Sequence, residues 1–269
     1  MVERVEPRAV RGRPRISVRV EDAESGVLLE SRSNRRVHRT ASIGKILLLI
    51  EVAARLEDGR LGPGAPLPCT TADAVTDSGL LQYLAGPSYA VADLAVLVGA
   101  VSDNFATNVL LRAVGLDAVT ARAGALGLRQ TALHDRVRER RGPADPSTLS
   151  TGTAAELTGL MSRLHKGLVA SSDVSERVLR WLALDTDTSM VAAAFGLDPL
   201  AHADPDRGIG LTHKTGTDTG IRCDVGLVRG PAAAIAYAVL ADFDDADRDD
   251  VLARMRAVGE RIRAAAVGA

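Results

Sequence analysis

Residues 42–56 read SIGKILLLIEVAARL, a run of helical length with no proline and a strongly apolar middle. This pattern predicts a buried helix that begins at Ser42. Ser42 and Lys45 are three residues apart, so a helix places both on one face. The amine of Lys45 can then accept the hydroxyl proton of Ser42 if burial lowers the pKa of the amine. Backbone N–H groups at the helix N-terminus would also favour negative charge developing on Ser42.

The same residues allow a simpler interpretation, in which Ser42 caps the helix and Lys45 is solvated. The S-x-x-K spacing arises by chance in about one of every two chains of this length. Composition favours the chemical role, because only three of the 33 basic residues are lysines, namely Lys45, Lys166 and Lys214. A lysine amine can lose its proton when desolvated, whereas a guanidinium effectively cannot.

A second candidate motif, Ser102-Asp103-Asn104, lies between two predicted helices. The Ser102 hydroxyl could relay protons if it lies near the Lys45 amine. The Asn104 amide could both donate to and accept from a substrate amide. A residue that caps the following helix explains the tripeptide as well, and these residues alone leave both interpretations open.

A third candidate motif, HKTGT at residues 213–217, follows an apolar stretch and predicts an edge strand. Lys214 and Thr215 could hold a substrate carboxylate there, and Gly216 would leave room for a ligand. The N–H of Thr217 could join that of the serine at the helix start in an oxyanion hole. The alternative is a strand that ends in an exposed turn.

The hydrophobic pattern predicts strands near both ends of the chain and helices in the middle. An alternating hairpin is expected at 16–21 and 26–30, and two further strands at 224–228 and 233–240. Helices are expected at 91–101, 104–114, 116–125, 154–164, 174–184 and 245–266. Residues 132–150, rich in charge, predict a long loop.

These elements predict an α+β fold, with an antiparallel sheet flanked by helices plus an all-α lobe. Residues 1–269 would form a single catalytic domain. Its α/β lobe would comprise about 10–57 and 207–269, and its all-α lobe about 58–206. A small-molecule site is expected in the cleft between the lobes.

Composition excludes several kinds of partner. The formal net charge of −1 favours neither nucleic acid nor an anionic membrane. Cys69 and Cys223 are too few for a disulfide framework, and the five scattered histidines predict no metal site. We expect no cofactor and make no prediction of oligomeric state. The polar N-terminus, MVERVEPRAVRGRPR, lacks an export signal, so we expect a cytoplasmic protein.

The three motifs occur in one order, about 60 and 110 residues apart, and resemble the signature of class A β-lactamases and penicillin-binding proteins. VSDNFATNVLLRAVG is similar to the family's SDN helix, and HKTG…GIRCDVGLV to its KTG strand pair. The resemblance implies a β-lactamase-like fold and a substrate that is a β-lactam or another amide or ester, carrying a carboxylate. It implies an acyl-enzyme on Ser42, with Lys45 and Ser102 in proton transfer and substrate binding by Asn104, Lys214, Thr215, Gly216, Thr217 and Arg222. Tyr83 is a further candidate at the cleft mouth.

One loop departs from that family. Its members present a glutamate that activates the deacylating water, but HDRVRERRGPADPS at 134–147 has Arg138 at that place and Glu139 one residue later. Glu139 is our candidate for the water base; otherwise it is a surface carboxylate among arginines. The main hypothesis is β-lactam hydrolysis. The alternatives are a cytoplasmic amidase, esterase or transacylase on a metabolite, and a penicillin-binding sensor that is acylated without turnover.

Overall fold

The structure is a computed structural model and describes residues 12–268. Most of the polar N-terminal stretch lies outside these residues. Ten strands form within them: β1 (Arg15–Asp22), β2 (Leu28–Arg32), β3 (His38–Arg39), β4 (Pro66–Pro68), β5 (Ser88–Ala90), β6 (Ala132–Leu133), β7 (Ser150–Gly152), β8 (Gly210–Asp218), β9 (Ile221–Arg229) and β10 (Ala234–Asp242).

Five strands build one antiparallel sheet in the order β2-β1-β10-β9-β8. The predicted hairpin is present as β1 and β2, and β1 pairs with β10, so the two ends of the chain meet in this sheet. The HKTGT stretch lies in β8, which is an edge strand as predicted. Almost every residue of the central strand β10 is buried, because both faces of the sheet are covered.

The described residues also form seven α-helices: α1 (Lys45–Glu57), α2 (Val91–Val101), α3 (Asn104–Val114), α4 (Leu116–Ala125), α5 (Ala154–His165), α6 (Ser172–Leu182) and α7 (Arg248–Val267). The bounds of α2, α3 and α4 coincide with the prediction. The terminal helix begins at Arg248, because a separate 3-10 turn occupies Asp245–Asp247. No helix in this part of the chain is long and apolar enough to span a bilayer.

Alternate residues of β10 face two different hydrophobic clusters. Tyr237 and Val239 join the cluster that includes α7, whereas Ala238 and Leu240 join the cluster that includes the other helices. This alternation is the period of two expected of a strand covered on both faces. The α+β architecture is therefore confirmed.

The contacts of α1 and α5 show which layer each helix joins. α1 packs against α2, α3, α4 and α6, although its place in the sequence assigns it to the α/β lobe. α5 lies on β1, β9 and β10, although its place in the sequence assigns it to the all-α lobe. The strongly apolar α1 suits the centre of a helical layer. An apolar sequence is equally compatible with a helix packed on the sheet, so hydrophobicity alone does not distinguish the two positions.

Candidate active site

Ser42 lies in a 3-10 turn, Ala41–Gly44, that leads directly into α1. The sequence predicts a helix from Ser42; the α-helical part begins three residues later, at Lys45. The preceding Ala41 has a φ of +46°, a left-handed conformation that strains a residue with a side chain. Ser42 is half-buried, and its hydroxyl forms no hydrogen bond within residues 12–268. The turn thus presents a hydroxyl that has no hydrogen-bond partner among the described residues.

Ser150 of β7 anchors this turn from outside the motif. Its hydroxyl donates to the carbonyl of Ala41 at 2.6 Å and shares a hydrogen bond with the Thr40 hydroxyl at 2.7 Å. A Cβ on Gly44 would lie 2.5 Å from the Cβ of Ser150, so only glycine allows this approach. The glycine of S-I-G-K is therefore needed to seat Ser42, a role that sequence reasoning missed.

The Lys45 side chain is fully buried beside the second motif. Its Nζ donates to the carbonyl of Ser102 at 2.6 Å, to the hydroxyl of Ser102 at 3.3 Å and to Oδ1 of Asn104 at 2.7 Å. Burial holds the pKa of Lys45 well below its ordinary value, and the nearby Lys214 ammonium lowers it further. A lowered pKa makes the neutral amine, which can accept a proton, more accessible than it is in a solvated lysine.

The two interpretations of Ser102-Asp103-Asn104 apply to different residues. Asp103 is the helix cap, since its carboxylate accepts the N–H of Ala106 at 2.8 Å at the start of α3. Ser102 has a φ of +53° and ends α2 in a left-handed conformation. This bend brings Ser102 and Asn104, on either side of the cap, to the Lys45 amine.

Lys214 reaches the same region from the edge strand and is also fully buried. Its Nζ forms an ion pair of 3.1 Å with Asp185, which follows α6. The same carboxylate oxygen accepts the N–H of Thr215 at 3.1 Å. Burial, the largest single influence, would raise the pKa of Asp185, but the charges of Lys214 and His213 together with hydrogen bonds to the carboxylate hold the pKa below its ordinary value. Sequence reasoning missed Asp185, whose only signal is a carboxylate directly after an apolar helix.

Replacing Asp185 with alanine is expected to destabilise the fold by about 3–5 kcal/mol, because it leaves the Lys214 ammonium buried without a partner. Urea unfolding would measure this loss, with Asp206→Ala, which breaks an exposed pair with Arg207, as a control that changes little. Because the pKa of Asp185 is lowered in the folded state, its ionised carboxylate stabilises the fold at pH values above the ordinary pKa of aspartate. This stabilisation is lost as the pH falls through the lowered pKa. Equal losses for the two variants would contradict the prediction.

Gly216 brings the edge strand against the turn that carries Ser42. A Cβ at Gly216 would lie 2.3 Å from the carbonyl of Thr40, so glycine is required at this contact. Thr217, the next residue, is exposed and lies directly opposite Arg222 in β9. Directly opposed residues of an antiparallel pair project to the same face of the sheet. Thr217 and Arg222 can thus act on one ligand at the strand edge.

Arg222 is half-buried and donates to the carbonyls of Asp218 at 2.9 Å and Ile221 at 2.7 Å. It forms no ion pair within residues 12–268. Burial, and then the neighbouring Arg248, lower the pKa of Arg222, but a guanidinium stays charged at neutral pH. This side chain is suited to a substrate carboxylate.

His213, which the motif alone leaves without a chemical role, belongs to a second buried polar group. Its Nδ1 lies 3.1 Å from Asp224, whose same oxygen accepts the Tyr237 hydroxyl at 2.9 Å. Burial by itself would lower the pKa of His213, but Asp224 reverses this and raises it. These contacts hold β8 in place at His213, the residue directly before Lys214.

In the described part of the chain, Glu139 and Tyr83 lie outside the hydrogen-bonded groups around Lys45 and Lys214. The carboxylate of Glu139 is exposed and accepts the N–H of Thr76, a bond that lowers its pKa. No described contact joins it to Ser42 or Lys45. Tyr83 is 78% exposed at the end of a short 3-10 turn. The roles of both residues stay predictions.

The loop that carries Glu139 is held by residues that the motifs did not include. Arg138 forms ion pairs with Asp135 at 2.6 Å and with Asp145 at 3.1 Å. Asn108, one turn after Asn104 on α3, binds both the N–H and the carbonyl of Val137. Its sequence signal is a polar residue on the buried face of FATNVLL. The position where the resemblance places a glutamate is therefore occupied by an ion-paired arginine.

Neither cysteine in the described part of the chain competes with Ser42 as a nucleophile. Cys69 and Cys223 are free thiols, and burial raises the pKa of both, which disfavours the reactive thiolate. No group of three or more His, Cys, Asp or Glu side chains between residues 12 and 268 is placed to hold a metal ion. Ser42, three residues before the buried Lys45, therefore remains the candidate nucleophile.

The family model described as the beta-lactamase enzyme family matches residues 3–265 of the chain. The protein belongs to the beta-lactamase enzyme family. No curated protein matches the sequence. Among solved structures, the beta-lactamase from Sphaerobacter thermophilus DSM 20745 is similar at 25% identity and a TM-score of 0.78, covering 91% of this chain and 89% of that one. An ancestral class A beta-lactamase (GNCA) has 25% identity and a TM-score of 0.78, with 93% and 94% covered.

PBP-A shares the fold at 21% identity and a TM-score of 0.79, covering 93% of this chain and 88% of its own. The resemblance to class A β-lactamases and penicillin-binding proteins is thus confirmed, and so is the β-lactamase-like fold. The candidate site of this protein combines the Ser42 hydroxyl, the buried Lys45 amine and the Arg222 guanidinium, which forms no ion pair with the described residues.

Proposed function

We propose that the protein opens β-lactam rings through an acyl-enzyme on Ser42. Membership of the beta-lactamase enzyme family makes it a serine hydrolase of beta-lactamase type. The observation that carries the finer proposal is the fully buried Lys45, whose amine contacts Ser102 and Asn104 and has a lowered pKa. Such an amine can take a proton that a solvated lysine would not accept.

The reaction follows from these groups. Neutral Lys45 removes the Ser42 proton, directly or through the Ser102 hydroxyl, while the serine oxygen bonds to the lactam carbonyl carbon. The carbon–nitrogen bond then breaks and the proton passes to the ring nitrogen, which leaves an ester on Ser42. Water cleaves this ester, releasing the acid and restoring the hydroxyl.

Binding is assigned to the edge strand and to α3. Arg222 and Thr215 attract the substrate carboxylate, and Lys214 adds positive charge behind them. The N–H groups of Ser42 and Thr217 stabilise the negative oxygen of the tetrahedral intermediate. Asn104 donates to the acyl side chain.

Intact-mass spectrometry with penicillin G tests the proposal, followed by peptide mapping of the adduct and a nitrocefin assay of turnover. The expected result is an added mass equal to the whole penicillin, located on the peptide that contains Ser42. Ring-opened penicilloate is the control, because it has no strained amide to break. If no adduct forms and nitrocefin is hydrolysed no faster than in buffer, this function is excluded.

A second candidate function is favoured by the loop around Glu139. Because Arg138 is ion-paired and the Glu139 carboxylate is bonded to Thr76, neither of these two loop residues is free to act as the base for a deacylating water. The protein would then keep its acyl group as a sensor, or transfer it to a nucleophile other than water. A point mutant of PBP-A is described as an acyl-enzyme complex with penicillin G, so a protein of this fold can retain the group.

Glu139→Gln is expected to change the rate of adduct loss by less than about threefold. Its bond to the Thr76 N–H lowers the pKa of Glu139 and so weakens it as a proton acceptor. The measurement is the return of the acylated protein to its unmodified mass after excess penicillin is removed. Glu176→Gln, at an exposed position on α6, is the matched control. A hundredfold slower return for the Glu139 variant alone would identify it as the water base.

The substrate can also be a metabolite, as the expected cytoplasmic location favours. An amidase, esterase or transacylase would use the same Ser42 chemistry on an unstrained amide or an ester. A panel of amides and esters assayed beside penicillins distinguishes these substrates. Rapid hydrolysis of penicillins with no turnover across the panel would exclude the metabolite alternative.

A further inference from the structure

Residues 76–81, the Asp77 segment, are fastened to the residues that surround Lys45. The Nδ2 of Asn104 donates to the carbonyl of Thr76 at 3.3 Å, and the N–H of Asn104 donates to the carbonyl of Ser78 at 2.9 Å. The two neighbours of Asp77 therefore both bind Asn104. This arrangement holds Asp77 beside the amide that we assign to the acyl side chain.

The other end of the segment is equally restrained. The carboxylate of Asp103 accepts the N–H groups of Leu80 and Leu81, each at 2.7 Å. Gly79 has a φ of +115°, and a Cβ there would lie 2.3 Å from Cγ of Asp103. The segment is thus held in one conformation from both sides, so the position of Asp77 is defined by the fold.

Asp77 itself combines three unusual properties. It has a φ of +77°, which disfavours any residue with a side chain and which proteins often retain where it serves function. It is exposed, and across residues 12–268 its carboxylate forms no hydrogen bond or ion pair. Its charge also reaches the catalytic amine, because Asp77 raises the pKa of Lys45 against the larger effect of burial.

We infer that Asp77 is a specificity-determining residue that favours substrates with a positively charged group, such as an ammonium, on the acyl side chain. The inference rests on the proposed acyl-enzyme function. The substrate carboxylate is directed to Arg222 at the strand edge, whereas the acyl side chain lies along Asn104 beside Asp77. The preferred substrate class is therefore zwitterionic, with its cation on the acyl side and its anion at the edge strand.

Ampicillin and penicillin G test the inference, since they differ by one amino group on the acyl side chain. Acylation rates at low substrate concentration are followed by intact mass at about pH 6.5, where an α-amino group is largely protonated. Asp77→Asn should slow acylation by ampicillin about fivefold relative to penicillin G, as expected for one exposed charge pair. Added salt should reduce the wild-type preference, because it screens that pair.

Asp93→Asn is the matched control, an equal loss of charge at an exposed position in the first turn of α2, far along that helix from Ser102. It should leave the ratio of the two rates unchanged. If Asp77→Asn slows both penicillins equally, or slows neither, Asp77 does not select charge and the inference is wrong. If the wild type forms no adduct with either penicillin, the proposed function itself is wrong, and this inference falls with it.

Discussion

Replacing Ser42 with alanine is expected to abolish the penicillin adduct and to reduce nitrocefin turnover on the order of 10³-fold or more. The reason is that Ser42, whose half-buried hydroxyl forms no hydrogen bond to the described residues, lies three residues before the buried Lys45. The change removes one oxygen and leaves Gly44, with its close packing on Ser150, in place. The variant should therefore fold and bind substrate without reacting.

Two further variants make this result specific. Ser25→Ala lies in an exposed turn of the first hairpin and should leave both readouts unchanged. Ser102→Ala removes the hydroxyl 3.3 Å from the Lys45 amine and should slow acylation about 10²-fold while the adduct still forms on Ser42. An adduct that persists in Ser42→Ala, or that maps to another residue in the wild type, would refute Ser42 as the nucleophile.

The sequence predicted those parts of the molecule whose signals are local. The helices α2, α3 and α4 were placed correctly because each has an apolar period ended by a turn residue, such as Gly115. The edge position of the HKTGT strand was also predicted, since its two threonines and glycine suit a strand with one open side. The same kind of local pattern makes Ser102 and Asn104 candidate site residues, and both contact the Lys45 amine.

Contacts between distant segments were not predictable in the same way. Asp185 meets Lys214 across 29 residues, and Ser150 meets Ala41 across 109. Nothing in the short stretch around either residue indicates its partner, because the pairing is created only when the sheet and the helical layer close. The layers that α1 and α5 join depend on distant contacts in the same way, since both are apolar helices whose neighbours are distant in sequence.

The neighbourhood of Lys45 shows why these distant contacts matter for chemistry. Desolvation and the Lys214 charge lower the pKa of Lys45, whereas Asp103, Asp77 and Asp185 oppose them. Because Asp185 pairs with Lys214, it also moderates the charge that Lys45 experiences. The basicity of the amine is therefore set by residues from α2–α3, from the end of α6 and from β8 together.

Lys45→Arg is expected to slow acylation of Ser42 about 10³-fold, even though arginine is also a long basic side chain. A guanidinium cannot lose its proton in a protein, so it cannot accept the one from Ser42. Lys45→Met removes the amine and should be impaired to a similar extent. If Lys45 acted only as a fixed positive charge, the arginine variant would retain far more activity than the methionine variant, and that outcome would contradict its role as a base.

The pH dependence separates this role from a structural one. In the proposed mechanism the neutral amine is the reactive form, so wild-type acylation should decline as the pH falls through the lowered pKa of Lys45 and level off above it. The residual acylation of Lys45→Arg and Lys45→Met should lack this decline. Thermal unfolding and circular dichroism establish that each variant is folded before its profile is interpreted. A wild-type decline that persists unchanged in both folded variants would assign the titration to another group and overturn the proton-transfer role of Lys45.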